Sequence, residues 1–127
     1  MMNIVVLIGR LTKDPEVITT SNGNKRTSIT LAIPRIYRNS EGEYQTDFVR
    51  CILWNSIAVN TSEHCFKGDL IGVRGRIEVS NYTKDDEVKY ETNVIAERVS
   101  FLMNKKLRDE FMRMEAAEEE FEEIVQE

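Results

Sequence analysis

Two aromatic rings and one guanidinium share one face of the stretch TDFVRCILW, residues 46–54. Successive side chains of a strand project to opposite faces, so Phe48, Arg50, Ile52 and Trp54 lie together while the residues between them line a core. Alternate positions are about 7 Å apart, which is close to the spacing of unstacked bases on a protein surface. A lone ring in a strand is more often core packing. The weight of this pattern therefore depends on whether other stretches repeat it.

Two tyrosines repeat the combination of ring and cation. Tyr37 lies between basic residues, and Tyr82 precedes Lys84 in another alternating stretch. The basic residues interleaved with the four rings are Arg35, Arg38, Arg50, Arg74, Arg76 and Lys84, to which we add Arg10 in the first apolar stretch. Every base can stack on a ring, at about 1–3 kcal/mol per base, and cations neutralise phosphates whatever the sequence. The pattern therefore predicts binding of single nucleic-acid strands without base readout.

The elements that would position these groups follow from the hydrophobic periodicity. The sequence predicts strands over residues 3–11, 27–34, 46–54, 69–82 and 88–101, and a helix over residues 55–67 closed by Gly68. Five strands with one short helix between the third and the fourth is the order of the OB-fold, a five-stranded Greek-key barrel. We therefore predict an all-β barrel domain over residues 1–103.

Two details of this prediction concern the site directly. Residues 35–43 are predicted to form a polar loop, which would carry Tyr37. In the strand over residues 69–82, Ile77 and Val79 continue the apolar alternation and are predicted to face the core.

The first predicted strand is apolar on both faces from Ile4 to Ile8. The interior of a one-layer barrel cannot cover the outer of these two faces. We therefore expect either a helix or a second subunit to cover it, the latter giving a homo-oligomer.

Residues 104–127 form a second segment with an amphipathic helical pattern. Its apolar residues recur at spacings of three and four, interrupted by Glu118, and are Leu107, Phe111, Met114, Phe121 and Val125. From Asp109 onward the chain has 1 basic and 9 acidic residues, against 16 basic and 13 acidic residues before it. A mildly basic body with an acidic appendage is typical of nucleic-acid-binding chains.

The acidic helix has three possible interpretations. It could dock on its own barrel, fray as a tail, or bind a protein partner through Phe111, Met114, Phe121 and Val125. A replication or recombination protein would be a suitable partner in the third case.

From Met2 to about Leu102, the chain resembles the bacterial-type single-stranded DNA-binding proteins. The matching stretches are NIVVLIGRLTKDPEV, ITLAI, TDFVRCILWN, FKGDLIGVRGRIEVSNYT and YETNVIAERVSFL. Members of this family use four aromatics as stacking platforms, and the resemblance assigns that role to Tyr37, Phe48, Trp54 and Tyr82. It also implies a protein that coats single-stranded DNA in replication, recombination or repair and assembles as a dimer or tetramer.

The chain departs from the family pattern in three respects. Tyr37, Phe48 and Tyr82 stand where relatives often have tryptophan, which keeps stacking but weakens it. Val49 stands where some relatives have a histidine at a subunit contact. The Gly/Pro/Gln-rich linker and the acidic tip ending in Pro-Phe are absent, and EEEFEEIVQE, residues 118–127, does not match that tip. Docking of the usual partners is therefore not implied, and such a short form would suit a phage or mobile element.

The sequence gives little support to catalytic or metal chemistry. His64 is the only histidine, and neighbouring helical residues such as His64 and Cys65 point in different directions, which is poor metal-ligand geometry. The sequence contains no Ser/His/Asp set, phosphate-binding loop or zinc spacing, and the carboxylates of residues 85–87 fit a solvated hairpin tip. We therefore predict no enzyme activity, no cofactor and no metal.

The cellular location follows from what the N-terminus and the cysteines lack. There is no signal-like segment and no apolar run long enough to span a membrane. Cys51 and Cys65 form no CxxC motif. We therefore predict a cytoplasmic protein with reduced thiols and no membrane partner.

One alternative belongs to another functional class. A primosome-like OB-fold adaptor would bind a replication or recombination protein through the acidic helix, and its contact with DNA would be secondary.

Overall fold

The computed structural model describes residues 1–126, apart from the side chains of Lys105 and Arg108; Glu127, the last residue of the predicted tail, lies outside the described residues. Within this range the strands are β1 (Val5–Leu11), β2 (Ile18–Thr19), β3 (Lys25–Arg38), β4 (Tyr44–Trp54), β5 (Leu70–Lys84) and β6 (Glu87–Met103). The helices are α1 (Asn55–His64), between β4 and β5, and α2 (Lys105–Gln126), after β6.

The strands form one closed sheet. Neighbouring strands hydrogen-bond in the order β1-β5-β6-β4-β3-β2, and β1 also pairs with β3 at Leu11 and Leu31, which closes the barrel. Among the pairings of the described strands, only that of β4 with β6 is parallel. This architecture confirms the predicted OB-fold, because the five long strands close a barrel and α1 lies between the third and the fourth. The short β2 is an addition on the edge of β3.

The barrel interior is filled by alternate residues of the long strands. Ile29, Leu31, Leu53, Ile71 and Val73 are at most 1% exposed. Each such side chain contributes about 1.5–3 kcal/mol by leaving water. The inward-facing side chains of each strand are therefore committed to the core, and the alternate, outward-facing side chains are available for a binding site.

Helix α1 ends at His64 rather than at residue 67. Cys65 takes up an extended backbone and buries its side chain in the core. The Asp69 carboxylate then accepts a hydrogen bond from the N–H of Phe66 at 2.8 Å, and Gly68 turns the chain with φ of 91°. Gly68 therefore marks the turn after the helix, where a left-handed backbone favours glycine.

The hairpin of β3 and β4 is longer than predicted. β3 continues to Arg38, and its register with β4 shifts between Pro34 and Arg38. This irregularity accommodates a proline that has no N–H to donate, so the strand does not stop there. The turn begins at Asn39, whose Oδ1 accepts two backbone hydrogen bonds at 3.0 and 2.9 Å. The prediction of a loop over residues 35–43 is therefore wrong in its first half, and Tyr37 lies on a strand.

The hairpin of β5 and β6 leaves the barrel near Gly75. A Cβ at Gly75 would collide with the carbonyl oxygen of Ile95, so the two strands pass too closely for any other residue. The register with β6 also shifts between Arg74 and Gly75. Beyond this point Ile77 is 43% exposed and Val79 is 60% exposed. The prediction that they face the core is wrong, because this part of the hairpin extends beyond the barrel, where no other strand covers them.

Helix α2 confirms the predicted acidic amphipathic helix. Asn104 caps it, since its Oδ1 accepts a hydrogen bond from the N–H of Leu107 at 2.7 Å. Every residue of the predicted apolar stripe is more than half exposed, from 52% at Leu107 to 67% at Phe121. The stripe is therefore not buried against the barrel of its own chain, which leaves the partner-binding and tail interpretations.

Candidate nucleic-acid interface

The outer side of β4 carries Phe48, Arg50, Ile52 and Trp54, which we call the β4 face. Phe48 is 67% exposed and Trp54 is 37% exposed, whereas Ile52 is buried. The alternate side chains of the strand fill the barrel core and fix the direction in which this row points. The β4 face therefore presents two rings with a cation between them.

Small side chains of β3 lie beside this row. The cross-strand partners of Phe48, Arg50 and Ile52 are, in order, Ala32, Thr30 and Ser28. Directly paired residues share a face of the sheet. The rings therefore stand next to small side chains, two of which carry hydroxyl groups, and this leaves room for a flat base.

Arg50 is held across the β4 face rather than free. Its Nη1 lies 2.7 Å from Oε1 of Glu91 on β6, and its Nη2 donates to the hydroxyl of Ser28 at 3.4 Å. Both members of the ion pair are exposed to about half. Exposed pairs of this kind contribute about 0–1 kcal/mol, so a phosphate can compete for the guanidinium.

The cross-strand partner of Trp54 is Arg26, which the sequence analysis missed. Its guanidinium carbon lies over the indole, 5.7 Å from the ring centroid, within the range of a cation–π interaction. Arg26 directly precedes the predicted strand over residues 27–34. Extending the alternation back by two residues from Ser28 would have placed Arg26 on the same face.

Tyr37 lies on the β3–β4 hairpin, near the ion pair that Arg35 forms with Asp47. Arg35 binds Asp47 through Nη2 and Oδ1 at 2.9 Å and also donates to Gln45 at 2.7 Å. The hydrogen bond with Asp47 raises the pKa of Arg35, with a smaller contribution from Tyr37, and lowers the pKa of the Asp47 carboxyl. Tyr37 is exposed, but its cationic neighbour is engaged by a carboxylate.

A second aromatic that the sequence analysis missed lies on the same hairpin. Tyr44 is exposed, and the guanidinium carbon of Arg38 lies 5.1 Å from its ring centroid. Tyr44 follows the predicted loop, which ends at residue 43, and precedes the predicted strand, which begins at residue 46. The predicted site residue Arg38 is thus held over a ring.

Tyr82 stands on the β5–β6 hairpin. Arg76, Tyr82 and Lys84 occupy alternate positions of β5 and share a face. Arg76 pairs with Ile95, which in turn neighbours Ile52 of the β4 face. The outer side of this hairpin is therefore continuous with the β4 face, although Arg76 also forms an ion pair with Glu78 at 2.9 Å.

Arg10 and Arg74 lie on β1 and β5, outside the β4 face itself. Arg10 is paired with Ala32, the cross-strand partner of Phe48, so it lies on the same side of the sheet as Phe48. Its guanidinium donates to the carbonyl of Gly68 at 3.1 Å. Arg74 lines a cavity with Val6 and Ile8, beside the outer face of β1. The structure therefore places Arg10, but not Arg74, beside the β4 face.

Tyr90 lies on β6, within the predicted strand over residues 88–101, and is largely exposed. It is paired with Asn81 on the face of the β5–β6 hairpin opposite Tyr82. The sequence contains no signal that the hairpin leaves the barrel, because that depends on the close passage at Gly75.

Both thiols are buried, and the histidine contacts an aromatic ring. Cys51 and Cys65 are buried, and burial raises the pKa of both thiols to about 11. The His64 ring stacks on Phe101 with centroids 5.6 Å apart. Among the described residues there is no group of three His, Cys, Asp or Glu side chains that could hold a metal ion. Nor does the described part of the chain contain a helix long and apolar enough to cross a membrane.

Comparison with known proteins gives a consistent result. Residues 2–102 match the model of the single-strand binding protein family. Single-stranded DNA-binding protein B of Bacillus subtilis is 45% identical over 103 residues, which are 80% of this chain and 91% of that protein. Single-stranded DNA-binding protein 3 of Listeria innocua is 44% identical over 106 residues, 83% of this chain and 66% of that protein.

A solved structure also superposes on the barrel. A deletion mutant of the single-stranded DNA binding protein from Thermus aquaticus gives a TM-score of 0.69 at 31% identity. The match covers 82% of this chain and 52% of that one. The chain thus spans nearly all of the Bacillus subtilis relative but only about half to two thirds of the other two.

Proposed function

Because the chain belongs to the single-strand binding protein family, we propose that it binds single-stranded DNA without regard to base sequence. Bound in this way, it would protect exposed strands during replication, recombination or repair. The observation that carries the proposal is the β4 face, where two exposed rings and an arginine stand beside the small residues of β3.

Bases stack on Phe48 and Trp54, and the strand continues over the two hairpins to Tyr37 and Tyr82. Stacking is tolerant of sequence because every base has a π-face. Arg35, Arg50 and Arg76 are each paired with an exposed carboxylate in the free protein. A phosphate that takes a guanidinium from its carboxylate gains one charge contact and loses another, so these arginines add less affinity than unpaired ones would.

The protein acts by binding and not by catalysis, and it acts in the cytoplasm. The barrel over residues 1–103 carries the DNA site, and residues 104–127 form the acidic appendage. The unburied stripe of α2, including Phe111, Met114, Phe121 and Val125, is available to a replication or recombination protein. An adaptor with only secondary contact to DNA is not favoured, because the similarity to single-stranded DNA-binding proteins runs through the whole barrel.

The chain also assembles with copies of itself, as a dimer or tetramer. Ile4, Val6 and Ile8 form an exposed apolar row on the outer side of β1. Within the described residues, neither helix covers this row, so a second subunit is the remaining cover.

Titration with oligo-dT tests the proposed function. Trp54 is the only tryptophan, so its emission reports directly on the β4 face. We expect quenching as bases stack, with an apparent affinity that falls as salt rises. Absence of quenching and of any mobility shift at low salt would overturn the proposal. Duplex DNA of the same length is the control, since its bases cannot reach the ring.

A further inference from the structure

Arg26 lies at the Trp54 end of the β4 face and differs from Arg50 of the same face in having no carboxylate bound to it. Arg50 is paired with Glu91, whereas no ion pair between described residues includes Arg26. Asp14 and Glu16 line the cavity beside Arg26, but neither forms an ion pair with it. Its guanidinium lies instead over the indole of Trp54.

The position of Arg26 is set by its neighbours on both sides. Trp54 of β4 lies on one side and Ile18 of β2 lies on the other. Ile18 offers the guanidinium no acceptor, so the ring is the only one of the two that attracts it.

From these contacts we propose that Arg26 and Trp54 form one nucleotide subsite, in which the indole stacks a base and the guanidinium binds a phosphate beside it. This deepens the proposed function and rests on it. Arg26 approaches from the β3 side, and Trp54 keeps 37% of its surface exposed, so the cation does not close off the ring. A base stacked there brings the phosphates of its strand next to an arginine that has no ion pair to break, unlike Arg50.

The salt dependence of binding separates this role from a structural one. A single-strand contact to one phosphate contributes about 0.7 to the slope of log affinity against log salt concentration. We expect Arg26→Gln to reduce that slope by about 0.7 and to weaken binding of oligo-dT about fivefold at 0.1 M salt. Arg26→Lys should keep the slope, since it keeps the charge. In the free protein, Arg26→Gln should also change the emission of Trp54, because the cation over the ring is lost.

Lys25→Gln is the matched control. It removes the same charge from the adjacent residue, which projects to the other face of β3, where its Nζ donates to the Thr19 hydroxyl at 2.7 Å. We expect its slope to stay at the wild-type value. A wild-type slope in Arg26→Gln, or an equal loss in Lys25→Gln, would overturn the subsite while leaving the proposed function intact. Absence of any binding by the wild-type protein would overturn both.

Discussion

Removal of the Phe48 side chain should affect the stacking of bases without affecting the stability of the fold. Phe48 is 67% exposed, and its paired residue on β3 is the small Ala32. We expect Phe48→Ala to weaken binding of oligo-dT by about 1–3 kcal/mol. Its melting temperature should change little, because no core contact is lost. Trp54 emission measures the binding and circular dichroism measures the folding.

Phe66→Ala is the control for this substitution. Phe66 is also exposed, but it lines a groove beside α2 and lies away from the β4 face. Equal affinity in Phe48→Ala and the wild-type protein would show that the bases stack elsewhere.

At the scale of single residues, the sequence predicts which aromatic side chains face outward but not which residues contact the site. Alternation is enough to place Phe48 and Trp54 on one face, because a strand has a period of two. It cannot show that Glu91 engages Arg50, since the two residues lie on strands that become neighbours only when the barrel closes. For the same reason, the cation over Trp54 is visible only in the folded chain.

At the scale of elements, the sequence predicts the five strands and the helix but not the length of the hairpins. Alternating apolar residues specify strands, and the loss of that pattern after Trp54 specifies α1. Pro34 suggested an end to β3, although an irregular pairing accommodates it. The departure of β5 and β6 from the barrel depends on backbone contact at Gly75, which no side-chain pattern records.

Removal of α2 tests whether this helix contributes to the barrel. We expect a chain ending at Met103 to keep its melting temperature, because the apolar stripe of α2 is exposed. Its affinity for oligo-dT should be unchanged or higher, since the segment from Asp109 onward carries 9 acidic residues and 1 basic residue. Differential scanning fluorimetry and the fluorescence titration measure the two effects. Loss of folding, or of binding by a folded chain, would show that α2 belongs to the barrel or the site.

At the scale of the whole molecule, the outer side of β1 should decide assembly. Val6 lies in the middle of the exposed row between Ile4 and Ile8. Its cross-strand partner is Arg74, so a lysine at position 6 would bury two like charges side by side in any interface, which costs several kcal/mol. We therefore expect Val6→Lys to convert the dimer or tetramer to a monomer, as measured by light scattering.

Val88→Lys provides the comparison for this variant. It introduces the same charge at another exposed valine, on the β5–β6 hairpin. Its mass in solution should equal that of the wild-type protein. A monomeric wild-type protein at micromolar concentration would contradict the proposed assembly.

The burial of both thiols has a consequence for how copies of the chain behave when crowded on one strand. Neighbouring copies on DNA would meet at very high local concentration, where accessible thiolates exchange into intermolecular disulfides. Cys51 and Cys65 lie inside the barrel, with pKa values of about 11, so such exchange has no starting nucleophile. Copies packed along a strand therefore stay covalently independent, and each can leave when the DNA is needed by another protein.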